Sequence, residues 1–164
     1  MATYLANREE KVFEASYAAF TTSFEALLGR FDVTAIEDIG RIGSEAARAM
    51  LASAVGPLEF ALFQKLDHGT ILTALAAKPT RAVTYVFGNA LIAVEMTKHD
   101  ARAGLYVPLR LFVREVDAER VLVTYDLPSA AMAQFGSPAI DEVARSLDQK
   151  VGRLLEHATR RARA

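Results

Sequence analysis

The chain has no cysteine among its 164 residues, which excludes disulfides and thiolate metal sites and fits a reducing compartment. Charge of neither sign prevails. With 19 basic and 20 acidic residues the formal net charge is −1 and the sequence pI about 6.3, so no general attraction to nucleic acid or an anionic membrane follows. Long apolar runs are missing too: none approaches the ~20 residues that span a bilayer. The opening MATYLANREEK lacks the apolar core of a secretory signal. Walker loop, dinucleotide fingerprint, zinc-protease motif and nucleophile elbow are all absent. The expectation is a cytoplasmic protein with no nucleic-acid partner, no membrane span and no cofactor.

What is present suits a globular domain. The composition is 52% hydrophobic and 24% charged, enough apolar matter at this length for a real core. One domain is expected, with residues 58–164 as its core and residues 1–57 adding a strand and helices.

The centre of the chain carries the strongest pattern. In VTYVFGN, Val83, Tyr85 and Phe87 alternate with Thr84 and Val86; in LYVPLRLFVREV, Leu109, Leu111 and Val113 oppose Arg110, Phe112 and Arg114. In RVLVTYDLPS, Val121, Val123 and Tyr125 oppose Leu122, Thr124 and Asp126. Period-two alternation of this kind reads as strands with one buried and one mostly wet face. Asp117-Ala-Glu119 is short enough to join the last two as an antiparallel hairpin. LEFALFQKL (58–66) reads as another strand, and a helical turn around Met96 separates the first two central strands. EKVFEASY (10–17) either supplies a first strand, the preferred reading, or extends a helix.

Helix signals surround this block. Thr22-Ser-Phe-Glu25 and Thr34-Ala-Ile-Glu37 fit capping boxes and place helix starts there. Gly40 and Gly43 weaken the second pattern, so a break with a restart at Ser44 is expected before Gly56-Pro57 ends it. TILTALAAKP gives one or two helical turns closed by Pro79, and Pro128–Met132 a helical stub that Ser129 would cap. Ser137-Pro138 pairs a good N-cap with proline at the first helical position. The run Ile140, Val143, Ala144, Leu147, Val151, Leu154, Leu155, Ala158 then predicts a long helix across the sheet.

From about residue 59 to 158 the chain resembles the family catalogued as domain of unknown function 302. The residues that carry the resemblance are LFQKLDHG, VFGN with Met96, LYVPLRLFV, VTYDLPS and SLDQKV. The resemblance implies an α+β fold of the TATA-binding-protein-like type, a curved antiparallel sheet backed by helices, and a homodimer. It implies no established biochemical activity. This chain has Ala90 where the family commonly has proline after the Gly-Asn pair. Fold names do not transfer function, and a near-neutral chain does not suit the basic concave sheet that DNA binding requires.

Several residues have side chains suited to chemistry. Asp67-His68-Gly69 offers a carboxylate beside an imidazole at a strand end, the elements of a general base; its other reading is a loop histidine with Gly69 permitting a turn. His68, His99 and an acid such as Asp67, Asp100 or Asp126 would make a two-histidine, one-carboxylate metal set, although the spacing matches no compact motif. Haem ligation by His68 and Met96 lacks any attachment motif, and Met96 reads as core filler. Arg110 would either clamp an anion or pair with Asp126 across the hairpin. Tyr106, Arg110, Tyr125 and Asp126 together have the composition of a small-molecule pocket between sheet and helices. Two functions follow: a dimeric small-ligand-binding module, or an enzyme working through His68. A dimer acting through an exposed surface is the third.

Overall fold

The computed structural model describes residues 4–164. Its strands are β1 (Arg8–Glu14), β2 (Gly29–Arg30), β3 (Ala61–Asp67), β4 (Ala82–Gly88), β5 (Leu109–Asp117) and β6 (Arg120–Asp126). The helices are α1 (Tyr17–Glu25), α2 (Ile36–Ile39), α3 (Ser44–Ser53), α4 (His68–Ala76), α5 (Ala90–Thr97), α6 (Pro128–Met132) and α7 (Pro138–Ala162). The strands form a single sheet in the order β1-β6-β5-β4-β3-β2, antiparallel except for the short β2–β3 pairing.

Alternation decides the inner face. Val83, Tyr85, Phe87, Leu111, Val113, Val121 and Val123 are buried, and the stripe of α7 meets them in one cluster through Ile140, Ala144, Leu147, Val151, Leu154 and Leu155. Burying a Leu- or Val-sized side chain contributes about 1.5–3 kcal/mol, so this layer of apolar contacts is the main support of the fold. Phe20 and Phe24 of α1 stack 6.2 Å apart in the same core, and Met96 of α5 fills it without solvent contact. Layers of this kind make an α+β architecture: an open six-stranded sheet backed by helices, with the long C-terminal helix across it.

Several expectations are met for the expected physical reason. Ser137 accepts from the Ile140 amide and Pro138 opens α7, the Gly40–Gly43 segment separates α2 from α3, and Asp117 pairs with Arg120 across the hairpin turn. Three differ. Thr22–Glu25 closes α1 rather than opening it, because Ser16 caps six residues earlier and accepts from the Ala19 amide; Glu25 is then free for a partner across the core. Residues 58–60 are not yet strand: Glu59 sits at φ 65 and its amide donates to the Gly56 carbonyl, a turn that delays β3 to Ala61. Ser129 does not cap α6. Its amide donates instead to Asp148 Oδ1 of α7 at 3.1 Å, fastening the stub to the long helix.

The edges explain why the sheet stops. β1 is charge-rich (Arg8, Glu9, Glu10, Lys11, Glu14) along the exposed edge, a composition that discourages pairing with another chain. The other edge ends in β2, whose two residues offer little template.

Candidate functional site

The outer face of the sheet has no helical cover across its middle, and the polar members of each strand's alternation point there. A groove of about 540 Å³ runs over it, lined by Arg8 (β1), Leu66 (β3), His68, Thr84 (β4), Arg110 and Phe112 (β5), and Thr124 and Asp126 (β6). A second hollow of about 350 Å³ adjoins it, sharing Arg110 and Asp126 and reaching Tyr106, Pro108 and Tyr4. Arg110 and Asp126 therefore stand at the junction of two spaces, one over the strands and one at their end.

Arg110 and Asp126 do not form the expected ion pair. Asp126 Oδ1 instead receives Arg8 Nε at 3.1 Å, because β1 adds antiparallel to β6 with Arg8 in register with Asp126. Among the described residues Arg110 has no hydrogen-bond or ion-pair partner, and it is exposed. Its neighbour two positions on, Phe112, is half-buried on the same face. A guanidinium beside an aromatic ring offers an anion a bidentate contact and its carbon skeleton an apolar floor.

Tyr106 belongs to the adjoining hollow. Its ring meets Tyr4 edge-on at 5.6 Å and Phe135 at 6.0 Å. A hydrogen bond to Tyr106 holds the Tyr4 hydroxyl above its ordinary pKa. Tyr125 touches the groove, but alternation with Val121 and Val123 places its ring in the hydrophobic core, where burial raises its pKa. Tyr106, Arg110 and Asp126 are thus brought together, whereas Tyr125 lies on the other side of the sheet from them. The pocket expected between sheet and helices is, for these residues, on the open face.

His68 opens α4 and is exposed in the groove. Its Nε2 lies 3.0 Å from Thr84 Oγ1, and its ring 6.1 Å from Phe112. Asp67 is not its partner. The Asp67 carboxylate caps α4, accepting the Thr70 amide at 3.0 Å and the Thr70 hydroxyl at 2.7 Å, and these bonds hold it below the usual carboxylate range. Gly69 has a packing reason: a β-carbon there would stand 2.5 Å from the Thr80 carbonyl oxygen. His99 lies in the turn after α5, its amide donating to the Met96 carbonyl. No group of three or more His, Asp or Glu side chains converges to hold a metal among the described residues, so His68 and His99 are not gathered into one set.

Arg8, Leu66, Thr84, Phe112 and Thr124 line the groove without being among the expected ligand contacts. Phe112 did leave a signal, a large aromatic on the otherwise polar side of its strand. Arg8 left none, since its place depends on which sheet edge β1 joins.

No helix among the described residues is long and apolar enough to cross a membrane. A crystal structure of an uncharacterised conserved protein from Bacillus stearothermophilus shares the architecture: TM-score 0.64 at 12% identity, covering 92% of this chain and 97% of that one. At that identity the likeness concerns the fold. No curated protein matches the chain. The family model described as domain of unknown function DUF302 matches residues 41–158; the chain belongs to this family. The match starts well before residue 59 and so takes in α3. At the family's Gly-Asn pair, Asn89 Oδ1 caps α5 by accepting the Leu91 amide at 2.9 Å, and its Nδ2 donates to the Glu59 carbonyl. Ala90 is the first helical residue, where proline is also well accommodated.

Proposed function

We propose that the protein is a small-ligand-binding module that takes an organic anion with an apolar body in the groove on the open sheet face. The observation that carries this reading is Arg110, exposed beside Phe112 and without a partner among the described residues, while the carboxylate nearest in register is held by Arg8. Thr84, Thr124 and His68 add hydroxyl and imidazole contacts along the same groove. Tyr106 and Asp126 border its extension and would receive a hydroxyl or amine on the ligand. An apolar floor with a few convergent polar groups is the usual make-up of such sites.

The test is calorimetric titration with 3-phenylpropionate and with its neutral amide. The carboxylate should bind and the amide should not match it. Arg110→Met should weaken carboxylate binding by about 10–150-fold, the equivalent of the ~1.5–3 kcal/mol of a hydrogen bond to a charged group. Equal binding of acid and amide, or an unaltered Arg110→Met protein, would refute the proposal.

The working unit in this reading is a homodimer built from one domain of TATA-binding-protein-like layering. The apolar side chains that α4 leaves in solvent support it: Ile71, Leu72 and Leu75 are 57%, 38% and 84% exposed, more than an unpartnered helix normally displays. Support for the one-domain reading is that β1 and β2, from the N-terminal third, occupy the two edges of the sheet whose centre comes from residues 61–126.

A further inference from the structure

A different space shares Pro108 and Leu109 with the groove's extension but neither Arg110 nor Asp126. It is a cavity of about 200 Å³ between α5 and the ends of β3, β4 and β5, with α7 at its base. Its walls include Phe63, Ile92, Ala93, Met96, Leu109 and Leu147. The polar side chains on its wall are Asn89 and Thr97; Asn89 Oδ1 accepts from the Leu91 amide, and one of its two side-chain N–H groups donates to the Glu59 carbonyl. Val94 and Pro108, both exposed, are also on the wall and leave a way in from solvent.

The chain keeps this space open where it has room to close it. A β-carbon at Gly88 would stand 3.5 Å from Pro108 Cβ and 3.8 Å from Phe63 Cε2, ordinary contact distances, and Gly88 is not among the positive-φ residues. Neither backbone conformation nor steric room therefore requires glycine at this position. Native interiors leave few voids larger than a water molecule, and an apolar cavity of roughly 150 Å³ stays dry and takes up benzene. A space somewhat larger, walled mostly by carbon with Asn89 and Thr97 as its polar side chains, has the size and chemistry for one substituted six-membered ring or a branched chain of comparable bulk.

We infer that this cavity is a binding site for an uncharged apolar group of the size of toluene, either a free small molecule or the end of a larger ligand. It is separate from the Arg110 groove and does not depend on it.

The experiment is a toluene titration of full-length protein carrying 13C-labelled Met, Ile and Leu methyl groups, followed by NMR. Saturable shifts are expected at the methyls of Met96, Ile92 and Leu147. Met132, equally buried but not on the cavity wall, should stay still. Gly88→Ala and Ala93→Leu, which narrow the space from β4 and from α5, should each weaken toluene by at least about tenfold, and benzylammonium should bind the wild type at least about tenfold more weakly at these methyls, since its charge would meet a mostly apolar wall. Arg110→Met should leave the toluene shifts as they are. The inference is overturned if no shift saturates, if the shifts fall on Ile71 and Leu75 instead, if both narrowing variants bind as the wild type does, or if benzylammonium matches toluene at the cavity methyls. If Arg110→Met abolishes them, cavity and groove are one site and the separate assignment fails. Binding of a free molecule is distinguished from that of a ligand's end by the neutral amide of 3-phenylpropionate, which the Arg110 groove does not favour: Met96 shifts with this amide identify the ring as the end of a larger ligand, and toluene shifts alone identify a free apolar guest.

Discussion

Glu25 is the residue whose removal should be felt far beyond its own helix. The hydroxyl of Tyr85, a residue with no solvent exposure, donates to Glu25 Oε1 at 2.6 Å, and Lys65 Nζ lies 2.7 Å from the same oxygen. Replacing Glu25 by Ala strands that buried hydroxyl, which costs about 1–3 kcal/mol. The half-exposed Lys65 pair adds ~0–1 kcal/mol at most. A loss of about 2 kcal/mol in a protein of this size lowers Tm by roughly 4–8 °C. Tyr85→Phe removes donor and demand together, so it should cost less, about 0.5–1.5 kcal/mol, and in the double variant the two losses should not add. Urea unfolding of the four proteins at pH 7 measures the cycle. Additive losses, or a Glu25→Ala protein within about 0.5 kcal/mol of wild type, would refute the reasoning.

The same triad sets a pH dependence. Burial by itself raises the Glu25 pKa, but the Lys65 and Tyr85 hydrogen bonds outweigh it and hold the group below its ordinary value of 4.5. A carboxylate depressed in the folded state stabilises fully above its unfolded pKa and loses that contribution as pH falls through the folded one. The stability gap between wild type and Glu25→Gln should therefore be complete at pH 7 and shrink below about pH 4.5. At the alkaline end the signs reverse. Burial, and then the Glu25 bond, push the Tyr85 pKa far above 10, and burial pushes Tyr17 up to about 12. Both contribute stability that is whole below pH 10 and lost as pH rises beyond it.

Gly69→Ala should destabilise markedly, because the added carbon meets the Thr80 carbonyl oxygen at 2.5 Å and the Ala82 amide at 2.8 Å, so α4 must move off β4; an unchanged melting temperature by circular dichroism would contradict this. Sedimentation at micromolar concentration should report a dimer, and Leu75→Glu, which alters a side chain 84% exposed and hence outside the core, should shift it toward monomer with little change in Tm. A wild type that sediments as a monomer at every concentration would refute the assembly.

Local pattern carried much of this molecule. Period-two alternation assigned the inward residues of the three central strands, and the 3-4 spacing from Ile140 to Ala158 outlined α7, because each is written in neighbours along the chain. The Ser137-Pro138 start and the two-glycine break were legible for the same reason. The Thr22–Glu25 capping box was misleading, since a better cap at Ser16 and the burial of Phe20 and Phe24 set the helix earlier.

The candidate site divides along the same line. That Arg110, Phe112, Thr124 and Asp126 share a face follows from alternation within their strands, and the sequence alone determined it. That Asp126 belongs to Arg8, leaving Arg110 unpaired among the described residues, was decided by β1 adding to the β6 edge across more than a hundred residues. Tyr85 finding Glu25, Asp67 turning to Thr70 and the cavity beneath α5 were likewise settled by packing. Strand faces and helix stripes are properties of consecutive residues; partners and cavities depend on which distant segments pack together, and no local periodicity records that.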